Sequence, residues 1–552
     1  MCEKMPIAVQ VFEFGGGMTF PAMRGVALRS ALSAVSIVTL LALAPQAFAQ
    51  TTAFTQSLAA TASSDAAVAD WYRENNYATL WTGPEDAARR TAFLAAIATA
   101  SDHGLPVARY DAKALTAALR DAQTEGDRGR VEVRMTQAYL AWAHDLTSGA
   151  LIPKEVDAGI LREINEIEPA VLLTRLANGD PQAVLDWLLP KSTAYLQLMK
   201  AKLGLEAKIA AGGWGEPVSA EALAPGDTGP GVIQLRDRLV RMGYLMPTAS
   251  ASYDRALQAA VTAFQLNHGL TADGAAGAGT IAEINQPPEA RLASIIVAME
   301  RERWMHIDRS VKHVWVNLPD FRARIMEDGK TVFETRVVIG KDVPDQRSPE
   351  FSDEMEHMVI NPSWGVPRSI IVKEYLPLLQ QNPNAVSHLQ VIDGRGRVVS
   401  RGSVNFAAYN ARNFPYALRQ PPSDGNALGK VKFMFPNPHN IYLHDTPSKS
   451  LFDKEVRAYS HGCIRVADPF DLAHELLSWQ TDNAEAEFEA ALESGRETTV
   501  KLKATLPVHL VYFTAYPDAK GRIGYRRDVY GRDAALFEAL TAAGVELAGV
   551  QG

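Results

Sequence analysis

The stretch AYSHGCIRVADP runs from Ala458 to Pro469 and contains Cys463; the one other cysteine of the 552-residue chain is Cys2. A thiol attacks a carbonyl only as the thiolate, and a free cysteine has a pKa of about 8.5, so a working thiol needs a base or a positive charge beside it. The sequence offers candidates for both. In NIYLHDTPSKS, a strand would place Tyr442 and His444 on one face. His444 precedes Cys463 by nineteen residues, enough for the strand to end, a loop to pass and the chain to return alongside. Gly462 frees the backbone for an unusual turn next to the thiol. The N–H groups that this turn brings near a reacting oxygen then become candidate donors to a developing oxyanion. The pattern suits nucleophilic acyl transfer. Two other readings compete. Cys463 can be a small buried hydrophobe. A metal site of His444, His461 and Cys463 is the second, but no fourth ligand has helpful spacing.

Outward from this stretch the texture is that of strands. HVWVNLPDFRARIMEDGKTVFETRVVIG (313–340) alternates and carries a hairpin turn at Glu327-Asp328-Gly329-Lys330. HMVINPSWGVP, LQVID, RVVS, KVKFMF and NIYLHD add further β-like runs. After the cysteine, Asp468 is a candidate cap and Pro469 a first residue for a helix through Trp479. Two late strands are expected in VHLVYFTAYPDAKGRIGYRRDVYG.

Upstream the chain is different. Residues 66–215 are alanine-rich with helical spacing, as in VEVRMTQAYLAWAHDL, where Met135, Tyr139, Trp142 and Leu146 recur at three and four places. They read as a helical scaffold whose aromatic residues are core. Residues 216–231 are Pro/Gly-rich and read as a linker. Residues 225–286 form a compact unit: Val232, Leu235, Leu239 and Met242 give one helix face, and Tyr253, Leu257, Val261 and Phe264 another. The N-terminus has Arg24 and Arg29, an apolar run from Ala31 to Ala44, and Ala47-Phe48-Ala49. That layout predicts a secretory signal over residues 1–49, with an uncleaved anchor as the alternative. Residues 50–65 are expected to be flexible. Cleavage after Ala49 would remove Cys2, leaving one thiol in an oxidising compartment. A net charge of −8, with no block of like charges, gives no sign of nucleic-acid binding. The length calls for several domains.

The unit at 225–286 resembles the three-helix peptidoglycan-binding module through Ala260-Val261, Phe264-Gln265, Gly269-Leu270, Asp273-Gly274, Gly277 and Thr280. His444 followed by Ser460-His461-Gly462-Cys463-Ile464-Arg465 resembles the L,D-transpeptidase motif. RQPPSDGNALGKVKF, NIYLHDTP and the order of domains resemble the large periplasmic branch of that family, although Pro422-Ser423 stands where Pro-Gly is usual. The resemblance implies an α+β multidomain fold with a mostly-β catalytic domain over 308–505, a capping insertion within it at 369–425, and residues 506–552 packing on the catalytic and scaffold regions. It implies a periplasmic enzyme forming 3→3 peptidoglycan cross-links without cofactor or metal, and acylated by carbapenems. Cys463 is then the nucleophile and His444 the base, with the amides around His461, Gly462 and Cys463 holding the oxyanion, and the His461 side chain reads equally well as structural. Tyr442, Arg465, Trp364, Ser460 and Asn426 are candidate substrate contacts. Peptidoglycan stems, with other cell-wall enzymes, are the expected partners. Water or a lipoprotein lysine as acceptor, and a non-catalytic wall-binding scaffold, are the rival functions.

Overall fold

Alanine and leucine favour helix in the first half, and apolar residues recur there at helical spacing. The computed structural model describes residues 52–547, so the signal segment expected over 1–49 lies outside the described residues. The flexibility expected up to residue 65 is corrected by the structure. Ala53–Ala62 is a helix, with Thr52 accepting from the Thr55 N–H at 3.1 Å as its cap. Phe54, Leu58 and Ala62, four apart, are buried on its inner face. The helix packs on Glu125–Ser148 at Gly129, where an added Cβ would lie 2.6 Å from the Phe54 carbonyl oxygen. Small residues that looked unstructured are what allow this close approach.

Helix Glu125–Ser148 buries Met135, Tyr139, Trp142 and Leu146. Trp71, Tyr72, Trp81 and Phe93 share the same core, so these aromatic residues pack inward. In the next unit, helices Pro230–Met242, Arg255–Asn267 and Ala278–Ile284 enclose Val232, Leu235, Leu257, Val261 and Phe264. The signature residues there hold a turn: the Gln265 amide donates to Asp273 Oδ1 at 2.8 Å and to the Ala275 carbonyl at 2.9 Å, and accepts from Gly274 N–H at 2.8 Å. Helix Pro288–Trp304 packs with helices Thr193–Ala210 and Arg532–Ala542 around a further core.

The β-rich half opens with β1 (His313–Asn317), β2 (Arg322–Glu327), β3 (Lys330–Gly340) and β4 (Phe351–Ile360). Asp328 and Gly329 take positive φ of 49° and 71°, as the tight hairpin between β2 and β3 requires. A cap follows, with β5 (Trp364–Gly365), β6 (Gln390–Ile392), β7 (Val398–Val399) and β8 (Ala417–Gln420) as a small sheet of order β5-β8-β6-β7. The segment expected as a capping insertion, 369–425, has strands of its own and shares with Trp364 a core that includes Ile371, Leu379, Phe406 and Phe414. The chain returns through β9 (Val431–Met434), β10 (Leu443–His444), β11 (Ala458–Ser460), β12 (Ile464–Val466) and β13 (Thr498–Val511). The main sheet runs β11-β3-β12-β10-β9-β4-β13-β1-β2, and β2 also pairs with β3, so the sheet closes on itself. β14 (Ala515–Pro517) and β15 (Ile523–Tyr525) form a last hairpin.

A catalytic domain ending at residue 505 is corrected here: β13 runs through that position and lies between β4 and β1. A buried ion-pair network joins the parts. Arg301, on helix Pro288–Trp304, bonds Glu350 and, at 3.0 Å, Asp533; Arg532 reaches Glu350 at 3.3 Å. No helix among the described residues is long and apolar enough to cross a membrane.

Candidate active site

The site forms where β10 and β12 run parallel, with Leu443 opposite Ile464 and His444 opposite Arg465. This register brings the turn before β12, with Cys463, next to Tyr442; the Ile464 N–H donates to the Tyr442 carbonyl at 3.0 Å. Gly462 has φ 114°, a conformation strained for any side-chain-bearing residue. Its N–H donates to Ser460 Oγ at 3.1 Å, and Ser460 Oγ donates to the Cys463 carbonyl at 2.5 Å. The Gly462 amide is therefore spent inside the turn, which corrects its expected part as an oxyanion donor. The His461 and Cys463 N–H groups have no acceptor among the described residues and remain as candidate donors.

Behind the turn stands an unforeseen brace. Ser348, fully buried, donates to the Gly462 carbonyl at 2.6 Å and accepts from the Gly340 N–H at 3.0 Å. The Tyr530 hydroxyl donates to the Gly340 carbonyl at 2.6 Å and accepts from the Ser348 N–H at 3.2 Å. Neither residue sits in a recognisable pattern near the motif, so sequence reading had no signal for them.

Cys463 is half-buried, and its thiol donates to the Asn440 carbonyl at 3.4 Å. Asn440 itself sits at φ 55°, held in a turn by the Asn437 amide, which donates to the Phe435 and Ile441 carbonyls, each at 2.7 Å. His444 is buried and its ring lies 5.7 Å from that of Tyr442. Its Nδ1 faces the Asp445 carbonyl at 2.5 Å, so Nδ1 carries the proton and Nε2 is left as the basic nitrogen. Asp445 is structural: its carboxylate accepts from the Lys430 and Thr446 amides and from Lys449.

The electrostatics define a neutral resting pair. Burial holds the His444 imidazole down at about 3, helped by the charges of Arg465 and Lys432 and opposed by the bond to Asp445. Burial pushes the Cys463 thiol up to about 11, against the pull of Tyr442, Arg465 and Lys432. Thiol and imidazole are thus both uncharged near neutrality. Arg465 is buried enough to be held below its usual range, and its Nε has no hydrogen-bond partner among the described residues. Lys432, opposite His444 on β9, is also lowered by burial. Its ammonium lies 5.8 Å from the centre of the Tyr442 ring. Lys432 is a site residue that sequence reading missed, although the alternation of KVKF already placed it on one face.

Other expected contacts are elsewhere. The His461 side chain leaves the thiol and bonds Glu374 of the cap at 2.6 Å. Trp364 is packed in the cap core, its ring edge-on to Tyr375. Asn426 is fully buried in a turn, donating to the Pro362 and Pro421 carbonyls and accepting from the Leu428 N–H. Asp468 stands at the start of helix Pro469–Ser478, but its carboxylate takes the Thr335 hydroxyl at 2.8 Å instead of capping that helix. Among the described residues no cluster of three or more His, Cys, Asp or Glu side chains has metal-holding geometry.

A sheet closed on itself thus carries His444 on β10 and, in the turn before the neighbouring parallel strand β12, Cys463. Residues 311–499 match the family model described as "L,D-transpeptidase catalytic domain", residues 66–201 that of a "Scaffold domain", and residues 228–284 that of a "Putative peptidoglycan binding domain". Through residues 311–499 the chain is similar to the L,D-transpeptidase family. It is 33% identical over 239 residues to a Haemophilus influenzae protein named "Putative L,D-transpeptidase". That match covers 43% of this chain and 48% of the relative, about half the length of each. A solved L,D-transpeptidase from Xylanimonas cellulosilytica (its residues 123–326) aligns at 16% identity over 53% of this chain and 100% of that one. Its TM-score is 0.17, too low to bear on the fold.

Proposed function

We propose that this chain acts outside the cytoplasm as an L,D-transpeptidase that forms 3→3 cross-links in peptidoglycan through a thioester at Cys463. The observation that carries the reading is the register that sets His444, its Nε2 left free by the bond of Nδ1 to Asp445, on the strand parallel to the one that Cys463 leads into. In the first step Cys463 Sγ bonds to the carbonyl carbon between the diamino acid and the D-alanine of a tetrapeptide stem. The thiol proton passes to His444 Nε2 and then to the leaving amine, and D-alanine departs. In the second step an acceptor amine gives its proton to His444 and attacks the thioester carbon; the new amide forms and the thiol is restored. The Cys463 and His461 amides steady the oxyanion in both steps. Arg465, a cation without a carboxylate partner among the described residues, suits a stem carboxylate. The same thioester chemistry makes carbapenems acylating inhibitors.

The test is incubation of the protein with disaccharide-tetrapeptide and mass analysis of the products, beside Cys463→Ala. A cross-linked dimer lacking one D-alanine, absent from the variant, is the expected result. Tripeptide without dimer would replace transfer by hydrolysis. No D-alanine release from folded protein would overturn the reading in favour of protein anchoring or a wall-binding scaffold.

A further inference from the structure

Residues in register on neighbouring strands share a face of the sheet. His444 on β10 stands opposite Lys432 on β9 and opposite Arg465 on β12. One step along, Phe433, Leu443 and Ile464 are in register with one another and fully buried in the core of the sheet. Lys432, His444 and Arg465 therefore lie on the other face, in one row across three strands. Val359 on β4, opposite Lys432, and Val338 on β3, opposite Arg465, bound the row. Two cations thus flank the imidazole, with about 10 Å between their backbones, two strand spacings.

Neither cation is neutralised within the protein. Lys432 and Arg465 have no ion-pair partner among the described residues, and the buried Arg465 Nε has no hydrogen-bond partner there either. The acids at hand are occupied. Asp445, next to His444, holds Lys449 at 2.8 Å, and Glu497, whose charge reaches Lys432, accepts from the Ser363 hydroxyl at 2.5 Å. The charges of Lys432 and Arg465 both reach His444 and Cys463, so the two border the space that the reacting bond enters. Sheltered charges without counter-charges are costly to keep unless an anion arrives to meet them.

We infer that Lys432 is a specificity-determining residue that takes the side-chain carboxylate of the stem's diamino acid, while Arg465 takes the carboxylate of the departing D-alanine. The inference rests on the transpeptidase reading above; the demand for two separated carboxylates rests on the row. Distance from the reacting bond sets which cation meets which. The D-alanine carboxylate lies just past the scissile amide nitrogen, so it stays close to Cys463, and Arg465 is on the strand that Cys463 leads into. The carboxylate at the far end of the diamino acid side chain needs a cation on the other side of His444, where Lys432 stands. A diamino acid ending in an amide leaves Lys432 unmet, and one ending in a bare ammonium is repelled by it.

The experiment compares disaccharide-tetrapeptide with its side-chain-amidated form as donors for the full chain. It reads kcat/KM for D-alanine release, and Kd by titration calorimetry on Cys463→Ala, which binds without turnover. Wild-type protein should prefer the free carboxylate by at least about tenfold, mostly through KM, as one charge-assisted contact supplies. Lys432→Met, close to lysine in shape, should bring the two donors to within about twofold of each other, and Lys432→Arg should keep the preference. Arg465→Gln should weaken both donors and leave their ratio intact, because both carry the D-alanine carboxylate. The ratio cancels any general damage to the fold or to the thiol. Equal use of the two donors by wild-type protein, an unchanged ratio in Lys432→Met, or a lost ratio in Arg465→Gln would overturn the inference. If wild-type protein released no D-alanine, yet Cys463→Ala bound the free form in preference and lost that preference with Lys432→Met, the role of Lys432 would stand and the catalytic reading would fall. Folded protein that binds neither form overturns both.

Discussion

Ser348→Ala would remove the brace behind the candidate nucleophile. The Gly340 N–H loses its acceptor and the Gly462 carbonyl loses its 2.6 Å donor, both in a fully buried place. A buried polar group left unpaired costs about 1–3 kcal/mol, so loss of both contacts should lower stability by about 2–4 kcal/mol. The effect on rate has another origin. The Gly462 carbonyl and the Cys463 N–H belong to one peptide unit, so the Ser348 hydroxyl sets the direction of a candidate oxyanion donor. Mis-aiming such a donor should slow acylation by about ten- to a hundredfold. The assay is single-turnover acylation of Cys463, followed by intact mass, beside alkylation by iodoacetamide, which develops no oxyanion. Acylation should fall while alkylation and donor affinity stay within about twofold. Tyr530→Phe, which strips only the second layer, should give a smaller effect in the same direction. Folded Ser348→Ala protein that acylates at the wild-type rate would refute the reasoning, and an equal loss in alkylation would shift the cause to the thiol itself.

With the thiol pushed up to about 11, only about one molecule in a thousand carries thiolate at pH 8. Raising pH should therefore increase the rate of Cys463 alkylation steadily past pH 9, with no plateau near neutrality. Because His444 is held at about 3, NMR titration of its ring should show no protonation between pH 5 and 7, and ring protonation in that range would refute this. Arg465→Gln should raise the apparent KM for muropeptide donors by about tenfold through the lost charge-assisted contact, with alkylation unaffected. Glu374→Gln should weaken the tie between the cap and His461, raising KM for stems and sparing alkylation. Gly129→Ala should destabilise the first helix by about 2 kcal/mol or more, because the new Cβ meets backbone that cannot yield; thermal unfolding measures it.

The legible parts were those written in local chemistry. Met135, Tyr139, Trp142 and Leu146 announced a buried helix face by spacing, and Asp328-Gly329 announced a hairpin by its turn residues. Tyr442 and His444 follow from strand alternation, and the thiol from its motif. Hidden from the sequence were contacts across long separations. Ser348 meets Gly462 over 114 positions and Tyr530 meets Gly340 over 190, and no local periodicity encodes either. Trp364, Ser460 and Asn426 read as substrate contacts, yet their side chains are bound into a core or a turn. Ala53–Ala62 misled because small residues resemble a linker until a partner glycine is known.

The place of β13 between β4 and β1 bears on how the molecule is made. While residues 498–511 and the Tyr530 region are still unsynthesised, β1 and β4 have an open edge between them and the turn at Gly462 lacks its brace. The helical scaffold and the three-helix unit draw their main cores from earlier residues. Maturation should therefore run from N- to C-terminus, with the brace behind Cys463 arriving last, so that a chain released early at a stop codon before residue 498 would have an unbraced turn at Gly462 and an aggregation-prone edge.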